Sequence, residues 1–272
     1  MLLSRPPNMI DAPQSVNAVI RGTGFQPVVA LRTGWKPIPT MTGSRAPPFV
    51  PATPYSMQYT NQRVKLEDCR SAGPGSRAEL FLVEGDSAAS SVTRLRNAQN
   101  QAVLPMQGKP LNAIKATEKK VAGYPLFIAL AEAIGTGIGP DFHLAAVRYE
   151  KILLLFDPDA DGIHCGALMS MYFYRWMPEL LASGRIEIIR APVAEIIASP
   201  GTPPQYPLSE EEFHTLCSDH RLAGNRQLRT KHYRGLAGID IEVLSRICID
   251  PKTRNSSRLT PNDALAAIEI FG

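Results

Sequence analysis

The chain has 272 residues, enough for one large domain or two small ones with a sizeable hydrophobic core. A formal net charge of +4 and a pI of about 8.9 make it mildly basic, which is compatible with a phosphate-bearing partner without requiring one. No apolar run approaches the length of a membrane span, residues 1–20 lack the apolar centre of a signal peptide, and the four cysteines form no C-x-x-C pair. We therefore expect a cytoplasmic protein with free thiols, and neither a membrane protein nor a disulfide-stapled secreted domain.

The first 60 residues differ in composition from the rest. They hold ten of the 24 prolines and a single acidic residue, Asp11, and no regular apolar pattern persists there for more than a few positions. A short repeat is visible, in which TGFQPV at residues 23–28 is followed ten positions later by TGWKPI. One interpretation is a basic, aromatic arm that contacts nucleic acid. We favour the other, that residues 1–76 are a low-complexity extension with too little apolar content to fold.

The first folded element is predicted at residues 78–84, a short apolar run typical of a buried strand. It leads into Glu84-Gly85-Asp86-Ser87, where Gly85 allows a tight turn and Asp86 or Ser87 favours the N-cap of a helix through about Gln99. Glu84 is either an exposed loop acid or a metal ligand, and we favour ligation. For Asp86 we favour capping.

Residues 101–112 predict a short strand and a loop in which Lys109 follows a glycine. A lysine there suits contact with a phosphate, although a solvated surface lysine is the plain alternative. Residues 125–135 predict a helix that stops at Gly135. The sequence GTGIG at 135–139 resembles a phosphate cradle, but it follows a helix rather than a strand, which disfavours a dinucleotide site.

The most informative stretch is KILLLFDPDADG at residues 151–162. Its apolar half predicts a strand buried on both faces of a parallel sheet, and Asp157, Asp159 and Asp161 then stand at alternate positions on the loop that leaves it. Clustered carboxylates resist ionising unless a cation lies between them, and oxygen-only ligands favour Mg²⁺. A solvated turn is the alternative. Because ligands of open α/β sheets bind beyond the carboxyl ends of the strands, Glu84 and the aspartates can face one crevice, which favours a metal site.

The rest of the chain continues the alternation of helices and strands. We predict a long helix at 163–181, a strand at 185–190, a proline-rich linker at 199–207 and an α-rich tail. The fold class is therefore α/β, a mostly parallel sheet flanked by helices. The tail carries a basic stretch that either contacts phosphates or is a solvated face; its members are Arg221, Arg226, Arg229, Lys231, His232 and Arg234.

Three motifs of the chain occur in a characteristic order: EGDSA at 84–88, GKPLN at 108–112 and DPDADGIH at 157–164. Together they resemble the Toprim domain of the B subunits of bacterial type IIA topoisomerases. This is the family of DNA gyrase B and its topoisomerase IV counterpart. YRGL at 233–236 and DPKTR at 250–254 follow in the order that this family uses, so the resemblance covers roughly residues 64–271. The chain departs from the family pattern at Gln107, where an arginine is usual, and at Pro158, where a small residue is usual.

The resemblance implies a site and its partners. Glu84, Asp159 and Asp161 would be Mg²⁺ ligands and catalytic residues at the scissile phosphate, Asp157 would contribute to a second metal position, and Lys109 and Arg234 would contact the DNA backbone. The family's glutamate also exchanges a proton with the leaving oxygen. The tyrosine that breaks DNA would belong to a gyrase A-type subunit.

The same resemblance sets expectations for organisation and function. We expect an extension at 1–76, a Toprim domain at 77–198 and a gyrase-B-like tail at 199–272. The family's ATPase and transducer regions have no counterpart here, so we expect no ATP hydrolysis by this chain alone, and a separate ATPase-bearing chain is a further conceivable partner. Three functions stay open: a topoisomerase component that works with the A-type subunit, a stand-alone Mg²⁺-dependent Toprim nuclease, and an inactive paralogue or fragment that binds DNA or a topoisomerase.

Overall fold

A computed structural model describes residues 65–225 and 227–272. The extension at 1–76 is predicted to be disordered. Its residues 1–64, which include the repeat, lie outside the described part. For residues 65–76 the disorder prediction is wrong, because backbone pairing and an ion pair hold them against the sheet. Glu67 pairs with Val103, and Asp68 accepts a hydrogen bond from the Tyr149 hydroxyl at 2.8 Å and forms a salt bridge with Arg148.

Within the described residues, strands and helices alternate as the sequence predicts. The strands are β1 (Glu79–Val83), β2 (Gln101–Pro105), β3 (Lys151–Leu155), β4 (Ile186–Ile189), β5 (Ala194–Ile197), β6 (Arg229–His232) and β7 (Ser256–Arg258). The α-helices are α1 (Asp86–Leu95), α2 (Glu118–Ala122), α3 (Pro125–Ile134), α4 (Ala160–Trp176), α5 (Pro178–Ala182), α6 (Glu210–Leu222), α7 (Ile241–Leu244) and α8 (Pro261–Phe271). A π-helical turn, Ser245–Ile249, follows α7, and 3₁₀ turns lie at Gly139–Asp141, Leu144–Ala146 and Leu236–Gly238.

The main sheet has five strands in the order β2-β1-β3-β4-β7. The first four are parallel, and β7 adds to β4 in the antiparallel direction, so the sheet is mostly parallel as expected. Because β1 and β3 are neighbours in parallel register, their carboxyl ends lie side by side. The two acidic segments predicted to share a crevice therefore leave adjacent strands.

Each face of the sheet is covered by its own apolar layer. Alternation along β1 directs Leu80 and Leu82 to the layer that includes Phe127 of α3 and Tyr172 of α4. The opposite face buries Phe81 and Val83 of β1 with Leu153 and Leu155 of β3, beneath α1 and residues of the tail; the tail members are Tyr233, Leu236, Ile239, Val243, Leu244, Cys248 and Ile249. A sheet covered on both faces explains why its central strands β1 and β3 are nearly continuous apolar runs in the sequence.

Two helices differ from their predicted bounds. The helix predicted at 163–181 begins earlier, at Ala160, and is divided in two by Met177, because Pro178 lacks an N–H and disfavours helical geometry in the residue before it. The helix predicted to reach Gln99 ends at Leu95. The prediction for α3 is confirmed: it ends at Gly135, whose φ of 83° lies in the left-handed region that glycine favours.

The predicted tail contacts the same sheet. Its strand β7 pairs with β4, and Ala267 of α8 packs against α4 in a small apolar cluster. Strands β5 and β6 form a separate two-stranded sheet whose inner face packs on Phe213 and Cys217 of α6. The four cysteines are buried and free, and none of the described helices is long and apolar enough to cross a membrane.

Candidate functional site

Glu84 and Asp157 meet at the carboxyl ends of β1 and β3. The Asp157 N–H donates to Glu84 Oε1 at 3.0 Å, so one glutamate oxygen is tied to the backbone of the aspartate loop. The first turn of α4 is close-packed against the same atoms: a Cβ built on Gly162 would lie 2.0 Å from the Asp157 carbonyl oxygen and 2.7 Å from Glu84 Oε1. Only glycine fits at this position, so Gly162 closes the site from the α4 side.

The three aspartates have different partners. Asp157 Oδ1 accepts from the Leu236 N–H at 2.9 Å, which joins the loop to the tail. Asp159 is the N-cap of α4 and accepts from the Gly162 N–H at 2.9 Å. Asp161 forms an ion pair with Lys109, whose Nζ lies 2.7 Å from Asp161 Oδ1. The loop is therefore ordered by three separate donors rather than left as a solvated turn.

The electrostatics of the site are those of crowded negative charge. Burial raises the pKa of the Glu84 carboxyl above its ordinary value, and the charges of Asp157, Asp159 and Asp161 raise it further, against the opposing effect of the Asp157 N–H. Burial also raises the pKa of Asp157, and the Asp159 charge adds to that rise. The hydrogen bond from Lys109 instead holds the pKa of Asp161 below its ordinary value.

The four acids share one pattern of hydrogen bonding. Within residues 65–225 and 227–272, each has one carboxylate oxygen bound to a donor, whereas its second oxygen accepts no hydrogen bond from the protein. As oriented, no three His, Cys, Asp or Glu side chains of this part of the chain converge into a ready metal-binding group, since Asp161 is drawn to Lys109 and Asp159 to its helix cap. The arrangement is an oxygen-only donor set with excess negative charge.

The other residues singled out from the sequence have distinct locations. Lys109 is part of the acidic site through Asp161. Arg234 is exposed and lies two residues before Leu236, whose N–H binds Asp157. The capping prediction for Asp86 is wrong: the N-cap is Gly85, which makes no side-chain bond, and Asp86 Oδ1 accepts from Gln107 Nε2 at 2.6 Å. The chain bends at Glu84 and Gly85 as it passes from β1 to α1, and Gly85 is extended there with φ −159°.

Sequence reasoning misses two residues that shape the site. Gly162 stands in the sequence as part of an acidic motif, although its place directly after Asp161 at the start of a helix is a signal of close approach. The contact from the Leu236 backbone to Asp157 has no signal in the sequence, because a main-chain donor carries no residue identity.

Comparison with known proteins agrees with this arrangement. Residues 79–191 match the family model of the Toprim domain, a range that contains β1, β3 and all four acids. Over 79% of its length the chain is 34% identical to the DNA gyrase B subunit of Clostridium acetobutylicum, of which it covers 33%. It is 38% identical over 76% of its length to a novobiocin-resistant DNA gyrase B subunit of Streptomyces niveus, and 35% identical over 76% to the DNA gyrase B subunit of Halalkalibacterium halodurans.

The chain thus spans about a third of the length of these curated relatives, with 31% and 32% of the latter two covered. The matched regions extend beyond the Toprim domain, since the alignments run over 207 to 217 residues. Residues 79–191 therefore form a Toprim domain, and the chain is similar in sequence to about a third of the B subunit of DNA gyrase.

Proposed function

We propose that this chain supplies the metal-binding half of a type IIA topoisomerase cleavage site, acting on DNA with a tyrosine-bearing gyrase A-type subunit. The observation that carries the proposal is the meeting of Glu84 with the Asp157–Asp161 loop at the ends of β1 and β3, inside a Toprim domain. Because the chain covers only 33% of the Clostridium acetobutylicum relative, the proposal concerns cleavage and religation alone and does not include ATP-driven supercoiling.

The donor set fits Mg²⁺. Four carboxylates each keep one oxygen without a protein donor among the described residues, and hard oxygen ligands are what Mg²⁺ prefers. Burial and, to a smaller extent, the charges of the three aspartates raise the pKa of Glu84, and a cation would relieve the repulsion among these charges. We assign Glu84, Asp159 and Asp161 as the ligands, with Asp157 contributing to a second position.

Bound Mg²⁺ supplies charge stabilisation at the phosphoryl group and the leaving 3′ oxygen. The residues of the chain would hold the metal and bind the DNA backbone. Glu84, held by the Asp157 N–H through Oε1, would present Oε2 to the metal. Lys109 would exchange Asp161 for a backbone phosphate, and exposed Arg234 would bind a second phosphate.

Cleavage of supercoiled plasmid in Mg²⁺ tests the proposal directly. The full chain is assayed alone and with a gyrase A-type subunit, and breaks are trapped with detergent before protease treatment. Protein-linked breaks that need both chains would support the proposal. Breaks by this chain alone, lost in Glu84→Gln, would indicate a nuclease instead, and no breaks under either condition would indicate an inactive paralogue or fragment.

Removing single ligands should abolish cleavage while leaving the fold intact. We expect Glu84→Gln and Asp159→Asn each to lower Mg²⁺-dependent cleavage by about 100-fold or more, since each removes a carboxylate that would hold the Mg²⁺ ion at the reacting phosphate. Asp86→Asn is the matched control, because Asp86 follows the same strand but its contact is to Gln107. Equal cleavage by Glu84→Gln and Asp86→Asn would contradict the ligand assignment.

Arg234 should act on DNA affinity through the phosphate backbone. We expect Arg234→Gln to weaken binding of duplex DNA uniformly across sequences and to reduce the slope of log K against log[salt] by about 1, the loss of one phosphate contact. Filter binding or anisotropy at several salt concentrations measures this slope. Arg77→Gln is the control, because Arg77 is exposed and precedes β1. It therefore lies at the amino end of that strand, whereas the acids follow the carboxyl ends of the strands. An unchanged slope for Arg234→Gln would remove this residue from the DNA surface.

A further inference from the structure

The tail segment 233–236 (Tyr-Arg-Gly-Leu) lies directly against the Asp157 carboxylate. The Leu236 N–H donates to Oδ1 at 2.9 Å. A Cβ built on Gly235 would lie 3.0 Å from Oδ2 and 3.3 Å from Cγ, so a side chain at this position would press on the carboxylate. The main chain of the tail therefore forms one wall of the acidic site.

This wall is fixed to the strands that carry the acids. Tyr233 and Leu236 are buried in the same apolar cluster as Val83 and Leu155, the last residues of β1 and β3. The Tyr233 N–H also donates to the Val193 carbonyl oxygen at 2.9 Å. The Leu236 N–H is thus held in place by buried contacts on both sides, and its direction does not depend on a flexible side chain.

We infer that the Leu236 N–H is a positioning group for the metal site: it fixes Asp157 Oδ1 and so leaves Oδ2 for a cation. The inference rests on the proposed function, since it concerns the Mg²⁺ affinity of the acids. Donors that orient a ligating carboxylate typically change metal affinity by 10- to 100-fold when they are lost. The same backbone carries Arg234, so the acidic site and the proposed phosphate contact share one structural element.

Proline at position 236 removes the donor, together with the buried contacts of the leucine side chain. Leu236 begins a 3₁₀ turn, where proline is tolerated, and Gly235 before it is extended with φ −179° and ψ 166°, the conformation that precedes proline. Leu236→Ala is the matched variant, because it also loses the buried leucine contacts but keeps the N–H. We compare the Mg²⁺ affinities of the full-length wild type and both variants by calorimetry, without DNA or partner, and their thermal unfolding.

We expect Leu236→Pro to bind Mg²⁺ about 10-fold more weakly than Leu236→Ala, at similar melting temperatures. Equal affinities would overturn the inference while leaving the proposed function in place. A wild type without Mg²⁺ binding would overturn the proposed function and the inference with it. If Leu236→Pro does not fold, Gly235→Ala should show the same loss relative to Gly238→Ala, because a Cβ on Gly238 meets no atom within 4 Å. Equal affinities of these two variants would likewise overturn the inference.

Discussion

Replacing Arg254 with methionine is expected to lower the free energy of unfolding by about 3–5 kcal/mol, because it leaves a buried carboxylate without its partner. The guanidinium binds Glu79 at the start of β1 in a two-pronged ion pair, with Nη1 2.8 Å from Oε2 and Nη2 2.6 Å from Oε1. Only 3% of the arginine side chain and 9% of the glutamate side chain are exposed. Urea unfolding followed by circular dichroism measures the change.

The size of the effect reflects how many elements meet at Glu79. Gln101 of β2 donates to Glu79 Oε2 at 2.9 Å and to the Ile249 carbonyl oxygen, at the end of the π-helical turn, at 3.1 Å. Arg254, Glu79 and Gln101 therefore join the tail to the first two strands through charge-assisted bonds in a dry environment. The arginine of DPKTR at 250–254 thus binds at the opposite end of β1 from the acids.

A surface ion pair provides the contrast. Lys65→Met breaks the pair with Glu67, whose side chains are 81% and 39% exposed, and should cost about 0–1 kcal/mol. Combining Arg254→Met with Glu79→Gln should recover part of the loss, since the stranded charge is gone. If Arg254→Met costs no more than Lys65→Met, the buried pair does not stabilise the fold as described.

Gly162→Ala should damage stability and metal binding together. The added Cβ would meet the Asp157 carbonyl oxygen at 2.0 Å and Glu84 Oε1 at 2.7 Å, so the loop or the first turn of α4 must move. We expect the free energy of unfolding to fall by about 1–3 kcal/mol or more, as for other overpacked positions. We expect Mg²⁺ affinity to fall by at least about 10-fold, because the displaced atoms orient two of the four acids. Urea unfolding and calorimetry on the same preparation separate the two effects.

Gly85→Ala makes the same chemical change in the other acidic segment of the site, directly after Glu84. Gly85 is extended and a Cβ there meets no atom within 4 Å, so the alanine should leave stability unchanged or raise it by a few tenths of a kcal/mol through the unfolded chain. Matching losses in Gly85→Ala and Gly162→Ala would show that close approach is not what makes Gly162 necessary.

The central sheet and the meeting of the acids are predictable because their signals are local. Continuous apolar runs mark β1 and β3, and the rule that parallel strands present their carboxyl ends at one edge brings Glu84 to the Asp157 loop. Gly135 marks the end of α3 through its left-handed backbone.

The structural features that the sequence does not show depend on residues that are far apart in the chain. β7 is Ser-Ser-Arg, which has no apolar pattern, and is a strand because β4 offers it an unpaired edge. The predicted start of α4 lies three residues late, because the acidic pattern assigns Asp159 to a loop whereas it is the helix cap. The contact between Leu236 and Asp157, 79 residues apart, is made by a main-chain donor and leaves no trace in local composition.

The covering of the two sides of the main sheet bears on the tendency of the protein to aggregate. On one side Glu67 exchanges a pair of 2.9 Å backbone bonds with Val103 of β2, and on the other the short polar β7 covers β4, whose sequence is Ile-Glu-Ile-Ile. Unpaired apolar edges are templates on which copies of a protein stack into fibrils. Strand β7 therefore protects the protein against aggregation. A variant that ends before Ser256 would expose the edge of β4 to other copies of the protein.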